Sequence, residues 1–320
     1  MPPSREPGEL LALTGNVGYN IRTVAGTQRP FWTTAAPAAM SVTTYASILP
    51  SFFEHPARRL MVIAGPCVLE EPEINLRIGR TLRDACRALD LAFVFKASFD
   101  KANRTSATSH RGPGARDGLR ELAAIGRELE VPVTTDIHDP AQAEDAAAHV
   151  DLLQIPAFLC RQTDLLLAAA GTGRPVNVKK GQFMSPGEME HVLGKLRQGG
   201  CRHAMLTERG TFFGYHRLVN DFIGVGDMMQ LGAPVCFDVT HSTQLPGADR
   251  AATGGRPERA PLLARAAVAA GVHAIFLECH PDPTRARSDA STAQPLDGVP
   301  DLLRSLAAIR AALGPPAPER

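Results

Sequence analysis

The chain has 320 residues, of which 44% are apolar and 21% are charged. That length suffices for one large domain or two ordinary ones. A formal net charge of +1 provides no bulk field that would attract nucleic acid or an anionic membrane. No stretch approaches the roughly 18 consecutive apolar residues that a membrane-spanning helix needs. The six cysteines form no CxxC pair, which favours a reduced, cytoplasmic chain.

The first part of the chain differs from the rest. Residues 1–40 are rich in Pro, Thr, Ala and Gly, and they lack the apolar core of a secretory signal. A transit peptide, a disordered extension and a start codon assigned too early, with Met40 as the true start, are open alternatives. We predict a largely disordered extension over residues 1–55, a folded domain over 56–314 and a short tail over 315–320.

From residue 60 onward, short runs rich in Val, Ile, Leu and Phe alternate with longer amphipathic stretches. These runs predict eight strands, at 60–64, 91–96, 131–136, 150–155, 174–179, 202–207, 233–239 and 272–278. Strands that are apolar on both faces suit a parallel sheet covered by helices, so we predict an α/β fold, the (β/α)8 (TIM) barrel. An open doubly wound sheet is the alternative, but "GPGARDG" at 112–118 does not match the GxGxxG loop expected there.

Cations cluster at the predicted strand ends, where functional groups gather in such a barrel. Six of them would share one rim: Lys96, Lys101, Arg104, Lys179, Lys180 and Arg209. A solvated rim is the simpler interpretation. However, a lysine that ends an apolar strand directs its stem into the barrel mouth, and several such residues favour substrates with phosphate and carboxylate groups.

A second set of side chains has the chemistry of metal ligands. In a closed barrel the first, seventh and eighth strands are neighbours, and their ends carry Cys67, His241 and Glu278, with Asp289 just beyond. Thiolate, imidazole and carboxylates can together bind a divalent transition metal. Each residue could equally be structural, because a lone cysteine after a strand is often part of the core. Cys279 follows Glu278 directly, so we expect its side chain to point away from the mouth.

A series of motifs then runs in order from about residue 60 to residue 313: "IAGPC", "FKASFDKANRTS", "RGPG", "TTDIHDP", "QIPAFLCRQTDL", "NVKKGQF", "TERGTFFGY", "FDVTHSTQLPG", "GGR" and "ECHPDP" with "SDAST". Together they resemble the 3-deoxy-D-manno-octulosonate 8-phosphate synthase family, also called 2-dehydro-3-deoxyphosphooctonate aldolases. The resemblance implies a barrel, usually homotetrameric, that condenses phosphoenolpyruvate with D-arabinose 5-phosphate and releases phosphate. The product serves the synthesis of the inner sugar of lipopolysaccharide.

The resemblance also implies roles for single residues. Three cations match the phosphoenolpyruvate anchors: Lys101, Lys179 and Arg209. Three further residues line that subsite: Ser98, Gln154 and Ala157. Residues that match contacts to the pentose phosphate are Asn103, at the hydroxyls, and Arg104 and Thr105, which would reach the phosphate in a neighbouring subunit's site. The implied catalytic group is Lys96, Lys101, Asp136, Lys179 and His241.

The family divides by metal use. One branch has a cysteine at the end of the first strand and requires a divalent cation, whereas the other has an asparagine there and an Asp-Gly-Pro-Ser loop after the eighth strand. Cys67 and the "DAST" stretch match the metal-dependent branch. The implied ligands are Cys67, His241, Glu278 and Asp289, and the ion would be Fe, Mn, Zn or Co.

Three other functions are alternatives. The 3-deoxy-D-arabino-heptulosonate 7-phosphate synthases share the barrel and the Gly-Pro-Cys strand, but they typically carry a Lys-Pro-Arg-Thr-Ser stretch where this chain has "KANRTS". Asn103 therefore favours the five-carbon acceptor. Sialic acid synthases are more distant and lack the full set of motifs. A barrel that only binds phosphosugars is the non-enzymatic alternative, and the intact polar set argues against it.

Overall fold

Eight parallel strands form a closed barrel in the computed structural model, which describes residues 45–103, 110–247 and 254–314. The strands are β1 (Met61–Gly65), β2 (Ala92–Lys96), β3 (Val133–Asp136), β4 (Leu152–Ile155), β5 (Val176–Lys179), β6 (Ala204–Glu208), β7 (Val235–Asp238) and β8 (Ala274–His280). Each pairs with the next, and β8 pairs with β1 from Met61 opposite Ala274 to Gly65 opposite Glu278. The predicted (β/α)8 barrel is therefore confirmed, and the open sheet is excluded.

Nine α-helices are described, and one of them follows each barrel strand. They are α1 (Ile48–Glu54), α2 (Pro72–Ala88), α3 (Ala115–Leu129), α4 (Ala143–His149), α5 (Thr163–Gly171), α6 (Met189–Gln198), α7 (Phe222–Met229), α8 (Ala260–Ala269) and α9 (Val299–Ala312). Within the described ranges, no helix is both long and apolar enough to cross a bilayer.

The two-residue period of the strands divides their side chains between two cores. In β8, Ile275 and Leu277 point outward into the layer between strands and helices, whereas Ala274 and Phe276 point into the barrel. The same alternation turns Glu278 inward at the mouth and leaves Cys279 in the outer core, 1% exposed, as its sequence position predicts. The period therefore selects which strand-end residues reach the mouth.

Helix α1 corrects the expected boundary of the extension at residue 55. Residues Ile48–Glu54 are helical, and Leu49 and Phe52 are 5% and 4% exposed. Both belong to the inner core cluster that also contains Met61 and Met205. These two methionines lie at the start of their strands, so α1 closes the N-terminal end of the barrel. The folded part of the chain therefore begins before residue 56.

Candidate active site

The C-terminal ends of the strands open into a cavity of about 670 Å³. Lysine occurs at only five positions in the chain, and three of them, Lys96, Lys101 and Lys179, line this cavity. Other predicted site residues in its wall are Asn103, Asp136, Ala157, Arg209, His241, Glu278 and Asp289. The strand ends thus bring together most of the residues that the sequence singled out. Arg104 and Thr105 lie outside the described residues.

A thiol and two carboxylates meet between β1 and β8. Ligand atoms of Cys67, Glu278 and Asp289 all lie within 4.8 Å of one another. The Cys67 Sγ lies 3.0 Å from Asp289 Oδ2 and 3.0 Å from Ser288 Oγ. Gly65 permits this strand end because a Cβ atom there would lie 2.0 Å from the carbonyl oxygen of Lys96. The close approach of β1 to β2 therefore requires glycine before Pro66 and Cys67.

The buried Lys96–Glu278 pair braces one side of this cluster. Lys96 Nζ lies 2.5 Å from Glu278 Oε1 and also donates to the Cys67 carbonyl oxygen at 2.7 Å. Burial alone would raise the pKa of Glu278, but Lys96, His241 and Lys101 outweigh it and lower the pKa to about 2. Glu278 Oε2 is buried and has no hydrogen-bond partner among the described residues. An ionised carboxylate therefore presents one unused oxygen to the cluster.

His241 is oriented toward the same point by a buried aspartate. Asp238 Oδ2 accepts from Lys179 Nζ and from His241 Nδ1, both at 2.7 Å. Burial would raise the pKa of Asp238, but His241 and Lys179 lower it, so the carboxylate is an acceptor only. His241 Nε2 is left 3.7 Å from Glu278 Oε2 and 3.6 Å from Asp289 Oδ2. Metal-binding histidines typically have such a carboxylate hydrogen-bonded to the ring nitrogen that does not bind the metal, here Nδ1.

The donor set fits a divalent transition metal ion. Burial raises the pKa of the Cys67 thiol well above its usual value, and the charges of Asp289 and Glu278 raise it further. A bound cation reverses that balance, because coordination stabilises the thiolate. One sulfur, two carboxylates and an imidazole around an unused carboxylate oxygen suit ions such as Zn²⁺ or Co²⁺ better than Mg²⁺ or Ca²⁺, which prefer oxygen ligands alone.

A row of hydrogen bonds crosses the barrel from Asp136. Its carboxylate accepts from Ser98 Oγ at 2.6 Å and from Gln154 Nε2 at 2.5 Å. Gln154 accepts from Asn177 Nδ2 at 3.0 Å, and Asn177 accepts from Thr207 Oγ1 at 2.7 Å. Ser98 and Gln154 are thus bonded to Asp136, and neither is among the residues that line the cavity. Burial opposes ionisation of Asp136, but Lys96, Lys101 and Lys179 outweigh it and lower its pKa.

The cations of the cavity face different constraints. Burial lowers the pKa of Arg209, whose Nη2 donates to Gln244 Oε1 at 2.6 Å. Its Nη1 is buried without a hydrogen-bond partner among the described residues, so this donor is available to an anion. Burial would lower the pKa of Lys101, but Cys67, Glu278 and Asp289 outweigh it and raise the pKa. Both side chains remain charged next to the cavity.

Several residues of the cavity were not assigned a role from the sequence. His138 lines it with a buried Nδ1 that has no hydrogen-bond partner among the described residues, and burial lowers its pKa. Arg287 and Ser288 reach it from the loop after β8. His138 and Asp238 lie at the C-terminal ends of strands, and this position could have identified them from the sequence. Arg287 lies in a loop without periodicity, and nothing in the sequence marked it.

The fold and the mouth together define a (β/α)8-barrel enzyme. The family model described as the DAHP synthetase I family matches residues 55–308. A 2-dehydro-3-deoxyphosphooctonate aldolase of Nitratidesulfovibrio vulgaris (strain DP4) is 53% identical over 253 residues, which cover 79% of this chain and 93% of the relative. Relatives with the same name in Koribacter versatilis and Methylococcus capsulatus are 52% and 48% identical, each over 81% of this chain and 94% and 91% of their own lengths. The chain therefore belongs to the DAHP synthetase I family, in the branch of these aldolase relatives.

Proposed function

We propose that the chain condenses phosphoenolpyruvate with D-arabinose 5-phosphate and water, giving 3-deoxy-D-manno-octulosonate 8-phosphate and phosphate for lipopolysaccharide synthesis. The observation that carries the proposal is that Lys101, Lys179 and Arg209 line one cavity together with Glu278 and Asp289, the two carboxylates of the thiol–carboxylate cluster. A volume of about 670 Å³ suits two small phosphorylated substrates, since ligand pockets commonly span some 300–1,000 Å³.

The cations would hold phosphoenolpyruvate in one orientation. Lys179 is fixed before the substrate arrives, because Asp238 accepts from its Nζ and the Phe276 ring lies 3.5 Å below that atom. Arg209 is held by Gln244 and keeps Nη1 for an anion. Preset donors lose little freedom on binding, so they can hold C3 of phosphoenolpyruvate at the aldehyde carbon of the pentose.

The reaction then needs charge control rather than a protein nucleophile. C3 of phosphoenolpyruvate bonds to the aldehyde carbon, the aldehyde oxygen takes the C=O electron pair, and positive charge develops at C2. Water adds at C2 and gives one proton to the former aldehyde oxygen. The bond between C2 and the phosphate oxygen then breaks, leaving a ketone at C2 and releasing phosphate, which takes the remaining proton. Asp136 is ionised because Lys96, Lys101 and Lys179 lower its pKa, so it is a countercharge and hydrogen-bond acceptor and not a proton donor. Ser98 and Gln154 orient that carboxylate through their hydrogen bonds to it.

The metal site would comprise Cys67, Glu278 and Asp289 with His241 as the fourth ligand. A bound ion there would supply Lewis-acid polarisation of a coordinated oxygen. Lys96 holds Glu278 Oε1, so the unused Oε2 would be the oxygen available to the ion. Asp238 holds Nδ1 of His241, so Nε2 would be the ligand atom. We further propose a cytoplasmic homotetramer in which Asn103 contacts the pentose hydroxyls, while Arg104 and Thr105 complete a neighbouring subunit's site.

One experiment tests substrate and metal together. Phosphate release is measured with phosphoenolpyruvate plus either arabinose 5-phosphate or erythrose 4-phosphate, before and after rigorous chelation. We expect turnover with the five-carbon acceptor, loss after chelation, and recovery with Fe²⁺, Mn²⁺, Zn²⁺ or Co²⁺. Preference for erythrose 4-phosphate would place the chain with the heptulosonate synthases, as the family's name allows. Full activity after chelation would remove the metal from the proposal.

A further inference from the structure

We propose that Glu70 is a positioning residue that clamps the β8 loop, residues 281–293, so that Asp289 stays opposite Cys67. The inference rests on the proposed metal site and extends it to a residue outside the ligand set. Glu70 lies three positions after Cys67, on the loop that follows β1, and it is 6% exposed. A carboxylate buried to this extent needs strong partners, and its main partner, Arg287, lies on the β8 loop.

The contacts of Glu70 tie the two loops together over more than two hundred residues of sequence. Its Oε1 accepts a hydrogen bond from the backbone N–H of Arg287 at 2.8 Å. Its Oε2 lies 3.3 Å from Nε of the same arginine, and Oε1 lies 3.9 Å from His280 Nε2. One carboxylate therefore binds both the main chain and the side chain of Arg287, two positions before Asp289.

Hydrogen bonds to Asn75 of α2 fix the backbone of Glu70. Its N–H donates to Asn75 Oδ1 at 3.0 Å, and Asn75 Nδ2 donates back to the Glu70 carbonyl oxygen at 3.0 Å. The same amide nitrogen lies 2.8 Å from Glu121 Oε1 on α3. Asn75 is fully buried in α2. Because this anchor belongs to the helical layer, Glu70 transmits the position of that layer to the β8 loop.

The β8 loop has a conformation that needs such a restraint. Asp289 has a φ of +48°, in the left-handed region that L-residues other than Asn and Asp rarely adopt. Its carbonyl oxygen accepts from the N–H groups of Thr292 and Ala293 at 2.9 and 3.0 Å, which fixes the far side of the residue. Before Asp289, the Glu70–Arg287 contact fixes the position of the chain two residues earlier. The 3.0 Å approach of Asp289 Oδ2 to Cys67 Sγ depends on both.

The test measures metal affinity and not only activity. The full chain is titrated with Co²⁺, and binding is followed by the thiolate-to-cobalt charge-transfer absorption, which reports on Cys67. Glu70→Asp keeps the charge but shortens the reach, and Glu70→Leu keeps the approximate size but removes the acceptor. We expect both to weaken Co²⁺ binding by about 10- to 100-fold, the range seen when second-sphere partners are lost. Glu70→Gln keeps an acceptor for the Arg287 N–H and should retain most of the affinity.

Glu71→Ala is the matched control. Glu71 pairs with the guanidinium of Arg287 at the surface, so this variant removes a carboxylate from the same arginine but leaves its backbone N–H bonded to Glu70. We expect its Co²⁺ affinity to equal that of the unmodified chain. Thermal unfolding of every variant separates a general loss of stability from a displaced loop, because a purely structural role would lower the melting temperature without changing affinity far below it.

The outcomes separate the two proposals. If the unmodified chain gives no charge-transfer band, the Cys67 metal site is wrong and the clamp falls with it. If the band is present and either Glu70→Asp or Glu70→Leu folds with undiminished Co²⁺ affinity, the clamp alone is overturned. Weakened binding in the folded Glu70 variants, with Glu71→Ala unaffected, supports it.

Discussion

The two ends of the barrel are built from the same strands and solve opposite problems. At the N-terminal end, Leu49 and Phe52 of α1 close the interior over apolar side chains such as Met61 and Met205. At the C-terminal end of the same barrel, the inward-facing positions carry charged side chains that are nearly or fully buried: Lys96, Asp136, Lys179, Asp238 and Glu278. The N-terminal end stabilises the fold by burying apolar side chains away from water, whereas the C-terminal end holds buried charged groups.

The charged end is tolerated because its groups are paired. Lys96 is bonded to Glu278, and Lys179 to Asp238, at 2.5 and 2.7 Å. Removing one member of a buried pair leaves the other without compensation, which typically costs about 3–5 kcal/mol. Substitutions at the mouth should therefore reduce both stability and chemistry, whereas substitutions at the closed end should reduce stability alone.

The largest effect is expected at Lys179. Lys179→Met removes a proposed phosphoenolpyruvate anchor and leaves Asp238 buried without its lysine. We expect turnover to fall by roughly 10²–10³-fold and the free energy of unfolding by about 3–5 kcal/mol. Steady-state kinetics and urea unfolding measure the two quantities. Lys195→Met, on the outer helix α6, is the matched control and should change neither appreciably. Near-normal turnover of folded Lys179→Met would break the contrast between the ends.

Phe52 tests the closed end. Phe52→Ala removes a ring that is 4% exposed and packs over the first residues of the strands, so we expect the free energy of unfolding to fall by about 3–5 kcal/mol. Turnover per folded molecule should stay within about twofold, because the cavity lies at the other end. Ile223→Ser, at a side chain that is 80% exposed, should change stability by less than about 0.5 kcal/mol. A large loss of turnover in folded Phe52→Ala would show that the two ends are coupled.

A smaller, pH-dependent effect is expected at His273, just before β8. Burial, with a contribution from Arg310, lowers its pKa to about 4. Between the ordinary histidine pKa of about 6.5 and this value, the unfolded chain binds the proton and the folded chain does not, so stability falls as the pH falls through that window. His273→Asn keeps an acceptor for the Val235 N–H, which bonds to His273 Nδ1 at 3.0 Å.

The expected difference is roughly 1–2 kcal/mol, because the ring is partly exposed. Urea unfolding of both chains at pH 7 and near pH 4.5 measures it. The unmodified chain should lose more stability than His273→Asn over this interval. Equal losses would mean that His273 titrates normally and that this part of the closed end does not resist protonation.

Most of the barrel could be predicted because the short apolar runs that mark its strands are local features of the sequence. Each of the eight predicted runs overlaps a strand, although all eight begin one or two residues early, because buried residues such as Leu60 and Val131 precede the paired segment. The period also placed Glu278 inward and Cys279 outward. Helix α1 was missed because it is a short helix with Pro50 in it, stabilised by contacts with strands far along the chain.

The site was predicted as a set of residues and not as a set of bonds. Strand ends identified Lys96 and Glu278, but a buried ion pair between residues 182 positions apart has no sequence signature. Gln154 is hydrogen-bonded to Asp136 and Asn177. The alternation of side chains along β4 allows these partners but does not determine them. The Glu70–Arg287 contact depends on the left-handed turn at Asp289 and on the packing of α2, so neither loop predicts it alone.

The most direct test compares two cysteines of opposite orientation. Cys67→Ala and Cys279→Ala each remove one buried thiol, and each chain is purified with metal present, dialysed and analysed for bound Fe, Mn, Zn and Co by elemental analysis. We predict that Cys67→Ala retains its fold and loses the bound ion, whereas Cys279→Ala keeps it at the level of the unmodified chain. Equal metal content in folded Cys67→Ala and Cys279→Ala would contradict the assignment of the charged end as a metal-assisted active site.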